Sequence, residues 1–324
     1  MFRRLACVVA FTAFALAPAA AADGGGPNPG LMQGWTGVSG PGQPLRYVTL
    51  PTGPQTVLVA VRRSSGRIWS WRTLAGTWGV PMVANDGTAG GLSRDGRMLV
   101  LADWTPPRTG PLRATSRFVL VNTKTFRLWR RITLRGDFAF DALSPGGGTL
   151  YLIEHVSKAD VTSYRVRAYD IASRRLLPHV IADRRQSSWV MHGYPVTRTS
   201  SADGRWVYTL YQQQGGYPFV HALDAAHGTA VCIGIPWKGN QDILPATKLG
   251  LDRTGGTLTL STRQGRPLFA VDTRTFWVSR PAVHRSSFPL ALVYAPAAGA
   301  AALLLLAFAL RRRIRVAALR PQLR

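Results

Sequence analysis

Between residues 31 and 282, short runs of Val, Leu, Tyr, Phe and Trp alternate with clusters of Gly, Asp and Ser. No segment there keeps the spacing of an amphipathic helix, and no Pro/Ser-rich linker divides it. Such runs, bounded by turn residues, predict an all-β domain. Even the least regular part, 31–80, offers strands at 45–50, 56–62 and 67–73. Ser64-Ser65-Gly66 is expected to turn the second hairpin.

The runs repeat. A small turn followed by a strand occurs as LSRDGRMLVL (92–101), LSPGGGTLYL (143–152), SSADGRWVYT (200–209) and LDRTGGTLTL (251–260), with starts 51, 57 and 51 residues apart. A second unit, an apolar strand ending in Asn or Asp and a tight turn, recurs at Asn122, Asp170, Asp224 and Asp272, spaced by 48, 54 and 48. Two interleaved repeats with one period mean that each unit supplies two hairpins, hence four strands. In the second hairpin the Asp or Asn side chain is expected to accept a backbone N–H from its own turn. One four-stranded sheet cannot cover both of its faces, so the units must stack on one another.

The strings LSRDGRMLVLA, LSPGGGTLYLI and SADGRWVYTLY resemble the LSPDGxxLYV signature of bacterial YVTN/WD40-like β-propeller repeats. The resemblance covers roughly residues 90–278 and implies a β-propeller of about five four-stranded blades. It implies an architecture and says little of function.

The two ends read differently. Residues 1–22 have Arg3 and Arg4, an apolar stretch from Leu5 to Leu16, and a small-residue site at Ala20 and Ala22, the pattern of a signal peptide; an uncleaved anchor is the alternative. Residues 23–30, DGGGPNPG, read as a flexible start. Residues 288–310 are 23 uncharged, mostly apolar residues, enough for a transmembrane helix. The basic tail 311–324 follows with six arginines, which places the C-terminus in the cytoplasm and residues 31–282 outside as the propeller ectodomain of a single-pass plasma-membrane protein.

Composition sharpens the picture. The 324 residues carry 40 Lys+Arg against 15 Asp+Glu, a net charge of +25. Setting aside Arg3, Arg4 and the tail leaves 32 basic residues against the same 15 acidic ones. Such a surplus attracts anionic partners. Outside the membrane these are an anionic cell-wall polymer, acidic polysaccharide or other carbohydrate, anionic lipid headgroups or a protein ligand, and not nucleic acid. Yet 36 of the basic residues are arginines, which a GC-rich coding sequence also produces. Two cysteines exclude a disulfide framework, and Cys232 in an apolar run reads as a buried thiol.

In an up-and-down sheet the first and third connections share one side. The second connection and the one to the next sheet share the other, and here they are long and varied. Variable loops on a rigid scaffold are where binding residues gather. The candidates on that loop side are Trp104, Arg108, Arg113, Arg184, Arg185, Trp189, His192, Tyr194, Tyr211, Tyr217, Trp237 and Lys238. Aromatics in such repeats also pack between neighbouring sheets, and polar loops are often merely solvated. The arginines with Trp104 and Trp189 are expected to form one basic patch. No nucleophile elbow, P-loop or zincin motif is present, and no catalytic residue, metal ligand or cofactor is expected. His221 and His227 read as solvated rather than as a metal pair. A glycosidase needs two facing carboxyls; a propeller could set Glu154 opposite Asp103 or Asp242, but nothing in the spacing requires it. The leading reading is a surface binding or scaffold module. A carbohydrate hydrolase or lyase, and a sensor ectodomain signalling through a membrane partner, are the alternatives.

The topology is directly testable. A reporter active only outside the cytoplasm is expected to be active when fused after Arg280 and silent after Arg324. Activity at the tail would reverse the orientation.

Overall fold

The computed structural model describes residues 33–107, 109–186 and 190–281. The expected signal peptide, flexible start, transmembrane helix and basic tail lie outside these residues, as do Arg108 and Trp189. Among the described residues no helix is long and apolar enough to cross a membrane.

The all-β expectation holds. Sheet 1 contains β1 (Leu45–Pro51), β2 (Gln55–Arg62) and β3 (Ile68–Ala75), with Val38 bridged to Tyr47 beside β1. Sheet 2 is β4 (Trp78–Gly79), β5 (Met98–Asp103), β6 (Thr115–Asn122) and β7 (Leu128–Arg135). Sheet 3 is β8 (Asp137–Leu143), β9 (Thr149–His155), β10 (Ser163–Asp170) and β11 (Arg175–Ile181), and the short β12 (Met191–His192) joins the end of β10. Sheet 4 is β13 (Tyr194–Ser200), β14 (Trp206–Gln212), β15 (Phe219–Asp224) and β16 (Thr229–Gly234). Sheet 5 is β17 (Thr247–Leu251), β18 (Thr257–Thr262), β19 (Pro267–Asp272) and β20 (Val278–Ser279), preceded by a 3-10 turn at Gln241–Ala246. Strands pair antiparallel in chain order within every sheet.

Alternation along each strand explains the stacking. In sheet 2, Leu99, Leu101, Val119 and Val121 pack towards Tyr47, Leu58 and Ala60 of sheet 1. The intervening Val100, Ala102, Phe118 and Leu120 pack towards Phe138, Leu150 and Leu152 of sheet 3. Two further clusters join sheets 3 and 4 and sheets 4 and 5. Successive sheets are also clasped by hydroxyls. Thr56 Oγ1 donates to the Gly76 carbonyl and accepts from the Trp78 N–H, both at 2.8 Å. Sixty residues on, Ser116 Oγ does the same with Gly136 (2.9 Å) and Phe138 (2.7 Å).

The inner strand of sheet 2 is interrupted by a hairpin over residues 82–89, closed by the Met82–Ala89 bridge. Its tip reaches sheet 4, where the N–H groups of Asn85 and Asp86 donate to the carbonyls of Pro195 (2.9 Å) and Val196 (3.1 Å). A Cβ on Gly90 would lie 2.7 Å from the Phe140 ring, so glycine is what lets this hairpin approach sheet 3.

The second repeat behaves as expected. Asn122, Asp170, Asp224 and Asp272 each accept backbone N–H groups from two or three residues on, at 2.6–3.2 Å. Four residues after each, the chain takes positive φ: Phe126 at 54°, Arg174 at 61°, Gly228 at 66° and Phe276 at 59°; Gly66, at 69°, is the sheet 1 counterpart. Only glycine takes this conformation without strain. Arg174→Gly is therefore expected to stabilise the protein by about 0.5–1 kcal/mol. Phe126→Gly relieves the same strain but removes a ring buried in the sheet 1–sheet 2 core, so it is expected to destabilise by about 3 kcal/mol or more. Urea unfolding of the two variants checks both signs.

Candidate functional site

On the loop side, sheets 2 and 3 diverge around a groove of about 730 Å³. The connection from β5 to β6 forms one wall with Thr105, Pro106, Pro107 and Leu112, and Lys158 of the β9–β10 connection lies opposite. The floor is a buried ionic cluster. Arg113 Nε and Nη2 donate to Asp137 Oδ1 at 3.1 and 2.7 Å, and its other donors reach the carbonyls of Asp103 (3.0 Å) and Phe138 (2.7 Å). His155 Nδ1 lies 3.6 Å from the same carboxylate. Burial raises the Asp137 carboxyl, but the His155 hydrogen bond and the Arg113 charge more than reverse this and hold it at about 2. At the rim, Asp103 accepts from Arg117 Nε at 2.7 Å and from the hydroxyls of Thr77 and Thr105.

A second polar feature runs through the packing of sheets 3 and 4. Arg198, Thr209, His221 and Cys232 are consecutive register partners across sheet 4. Arg198 pairs with Asp141 of the inner strand of sheet 3 and donates to Thr209 Oγ1 at 2.8 Å. At the outer end, the Cys232 N–H donates to Asp183 Oδ2 at 2.8 Å, and Asp183 is held by Arg185 at 2.6 Å. Burial raises the Asp183 carboxyl, yet these hydrogen bonds bring it down to about 2. Burial also pushes the Cys232 thiol up to about 12, so it is a neutral thiol and not a nucleophile. His221 is buried with no partner for Nε2, and burial pulls its imidazole down to about 4. The expectation of a solvated His221 is corrected. Its register position on β15 points it at sheet 3, and nothing in its local sequence marks that.

The other candidates separate into three groups. Arg113, Tyr211 and Trp237 are interior side chains. Tyr211 stacks between Tyr164 and Phe219 with centroids 5.0 and 5.3 Å away, and Trp237 packs 5.8 Å from Phe269 and donates to the Asn240 carbonyl. Arg113 is thus a clamp between two sheets and not an open cation. Arg184, Lys238 and Tyr217 are exposed, and Arg185 is half-committed to Asp183. His192 Nδ1 lies 3.1 Å from Asp160 Oδ2, which can only accept, and 3.0 Å from Ser163 Oγ; Tyr194 lines a cavity of about 30 Å³, and Trp104 is half-buried. The single basic patch does not form from the described residues. Arg184 and Arg185 line a separate groove of about 810 Å³ between the outer strands β11 and β16, which shares no residue with the groove over Arg113. Sequence reasoning passed over the 82–89 hairpin, although Asn85-Asp86-Gly87 between apolar residues is a hairpin signal.

The carboxylates considered for glycoside chemistry are engaged elsewhere. Glu154 pairs with Arg167 at 2.7 Å, Asp103 with Arg117, and Asp242 accepts from Asn240 Nδ2 at 2.6 Å.

No family model and no curated protein matches the chain. Solved structures align with it at low identity. Kuenenia stuttgartiensis hydrazine synthase aligns at 12% identity over 82% of this chain and 70% of its own, with a TM-score of 0.44. TolB from Acinetobacter baumannii aligns at 14% over 72% and 50%, with 0.41, and a putative TolB from Agrobacterium tumefaciens at 15% over 72% and 76%, also with 0.41. At these scores the architecture rests on the strand register and packing described above.

The buried imidazole sets a pH dependence. His221 has a lower pKa folded than unfolded, so between about 6.5 and about 4 the unfolded chain binds the extra proton. Its neutral form supports the fold fully above about pH 6.5, and that support is lost as pH falls towards about 4. His221→Gln is expected to flatten the fall in unfolding free energy between pH 7 and 4, measured by urea titration. An unchanged slope would remove His221 from the account.

Proposed function

We propose that the chain is an extracytoplasmic β-propeller that binds an anionic ligand in the groove between sheets 2 and 3, and that it acts by recognition rather than by catalysis. The observation that carries this reading is the state of the groove's charges. Its buried cluster is internally paired, with Asp137 fully used by Arg113 and His155, so the floor is rigid and neutral towards a ligand. The wall and rim then offer what an anionic glycopolymer needs: the exposed Lys158, the outer side of the Arg117 guanidinium beyond its pairing with Asp103, the hydroxyls of Thr109 and Thr115, and the apolar Pro106, Pro107 and Leu112. A volume near 730 Å³ suits a short segment of such a polymer.

The wider charge balance agrees. Each described Asp and Glu is held by an arginine, a hydroxyl, a turn N–H or, for Asp242, the Asn240 amide, as in Asp95 with Ser93, Asp160 with Thr162 and Asp252 with Gly256. The surplus of arginine is therefore left to project a positive field, which draws anionic partners towards the surface. The resemblance of the turn strings and the expected signal peptide and membrane segment support a reading of this propeller as lying at the outer side of a bacterial membrane. An anionic cell-wall polymer is abundant there.

The test uses a poly(glycerol phosphate) wall polymer as probe. Lys158→Glu combined with Thr109→Trp reverses the wall charge and fills the groove, and is expected to weaken binding by about tenfold or more, a change near 1.4 kcal/mol. Arg253→Glu with Arg266→Glu, in exposed turns of sheet 5, alters charge far from the groove and is expected to change affinity by less than about threefold. Equal losses would mean that net charge alone attracts the polymer.

A further inference from the structure

The outer strands of sheets 1, 2 and 3 share a feature that neither the fold nor the groove requires. In sheet 1, Ala60 pairs with Ser70 and Val61 with Ile68, so Trp69 is left out of the ladder as a bulge. In sheet 2, Leu120 pairs with Arg130 and Val121 with Leu128, so Trp129 is left out in the same way. In sheet 3, Leu177 falls in the wider irregularity opposite Ala168. These three residues stand at one repeat position, the third after the positive-φ residue of the turn: Gly66, Phe126 and Arg174. Each is turned outwards, with 57%, 56% and 38% of its surface exposed. A bulge re-aims a side chain that a regular ladder would direct towards a neighbouring sheet.

The same position carries its own charge. Two residues before each bulge stands an exposed arginine: Arg67, Arg127 and Arg175. Arg62 stacks on the Trp69 ring at 4.0 Å, and Arg130 lies 5.1 Å from the centroid of Trp129. Sheets 4 and 5 lack the bulge, although sheet 5 exposes Trp277 at the position where sheets 1–3 carry the arginine. Their outer strands pair without a bulge, and the equivalent residues are the half-buried Val231 and the polar Ser279.

We propose that this belt on sheets 1–3 docks the domain on a bilayer surface rich in anionic lipid. Tryptophan with an arginine beside it suits the headgroup boundary, where the ring is half in hydrocarbon and the cation meets phosphate. A dissolved polyanion would use the arginines but gains nothing from Leu177. The charge is complementary to anionic headgroups, and each arginine near such a surface adds to the attraction. The sequence also carries its expected membrane segment close to the domain. The uncharged stretch expected to cross the bilayer begins at Phe288, seven residues after Pro281, a span of at most about 25 Å. The belt is independent of the groove, and ligand affinity there has no bearing on it.

The test uses the full chain reconstituted into vesicles of phosphatidylcholine, with or without phosphatidylglycerol. Trp129→Cys and Leu177→Cys, with Ser279→Cys as the sheet 5 control, are labelled with a polarity-sensitive fluorophore. In phosphatidylglycerol vesicles the labels at 129 and 177 are expected to shift to the blue and to be quenched by shallow doxyl-labelled lipid, while the label at 279 stays open to iodide. High salt, or Arg67→Glu with Arg127→Glu and Arg175→Glu, is expected to reduce the lipid quenching by about fivefold. Iodide access at 129 and 177 equal to that at 279 would overturn the proposal. So would equal shielding of 129 and 177 without phosphatidylglycerol, which would mark the belt as a contact between protein copies.

Discussion

Everything in this protein depends on the burial of both faces of a four-stranded sheet. A single hairpin pair exposes two apolar surfaces and cannot stand alone in water. Sheets 2, 3 and 4 solve this by lying between two neighbours, and their strands are apolar on consecutive residues for that reason. In β6, Phe118, Val119, Leu120 and Val121 are all fully buried, alternating between the sheet 1 and sheet 3 sides. Sheet 5 shows the complementary case. Leu249, Leu258, Leu260, Phe269 and Val271 face sheet 4, while its other face carries Lys248, Thr259 and Ser261. A polar face of this kind does not call for an apolar partner.

Charge is used within this packing as well as outside it. Arg113 with Asp137 locks sheet 2 to sheet 3, and Arg198 with Asp141 locks sheet 3 to sheet 4. A buried pair of this kind adds little net stability over an apolar pair, but removing one partner leaves an uncompensated charge and costs about 3–5 kcal/mol. The pairs therefore act as registry devices that fix which edge of one sheet meets which edge of the next. The 82–89 hairpin adds a third tie, from sheet 2 directly to the inner strand of sheet 4. The loops of the groove are thereby carried on sheets tied to one another at several points.

Much of the architecture was legible in the sequence. The strands expected at 45–50, 56–62 and 67–73 lie at Leu45–Pro51, Gln55–Arg62 and Ile68–Ala75. The Asp and Asn turn positions were legible too, since a side chain that bonds its own backbone needs no partner from elsewhere in the chain. Side-chain roles in the loops were not. Arg113 and Arg184 look alike as sequence, each a cation in a long connection. One is buried against Asp137, and the other is exposed beside a different groove.

The sequence by itself determined the all-β class, the period, the turn chemistry and the charge balance, because each arises from contacts between residues near one another in the chain. Only the tertiary structure decided which polar residues are withdrawn from solvent. His221 and His227 are six residues apart, yet one is sealed against sheet 3 and the other is exposed in a turn beside Asp224. It also decided that Trp69 and Trp129 face outwards while Trp78 and Trp237 face in. Those outcomes depend on strand register and on which sheet lies across the interface. A one-residue bulge or a partner more than forty residues away sets them, and neither leaves a mark in the local pattern.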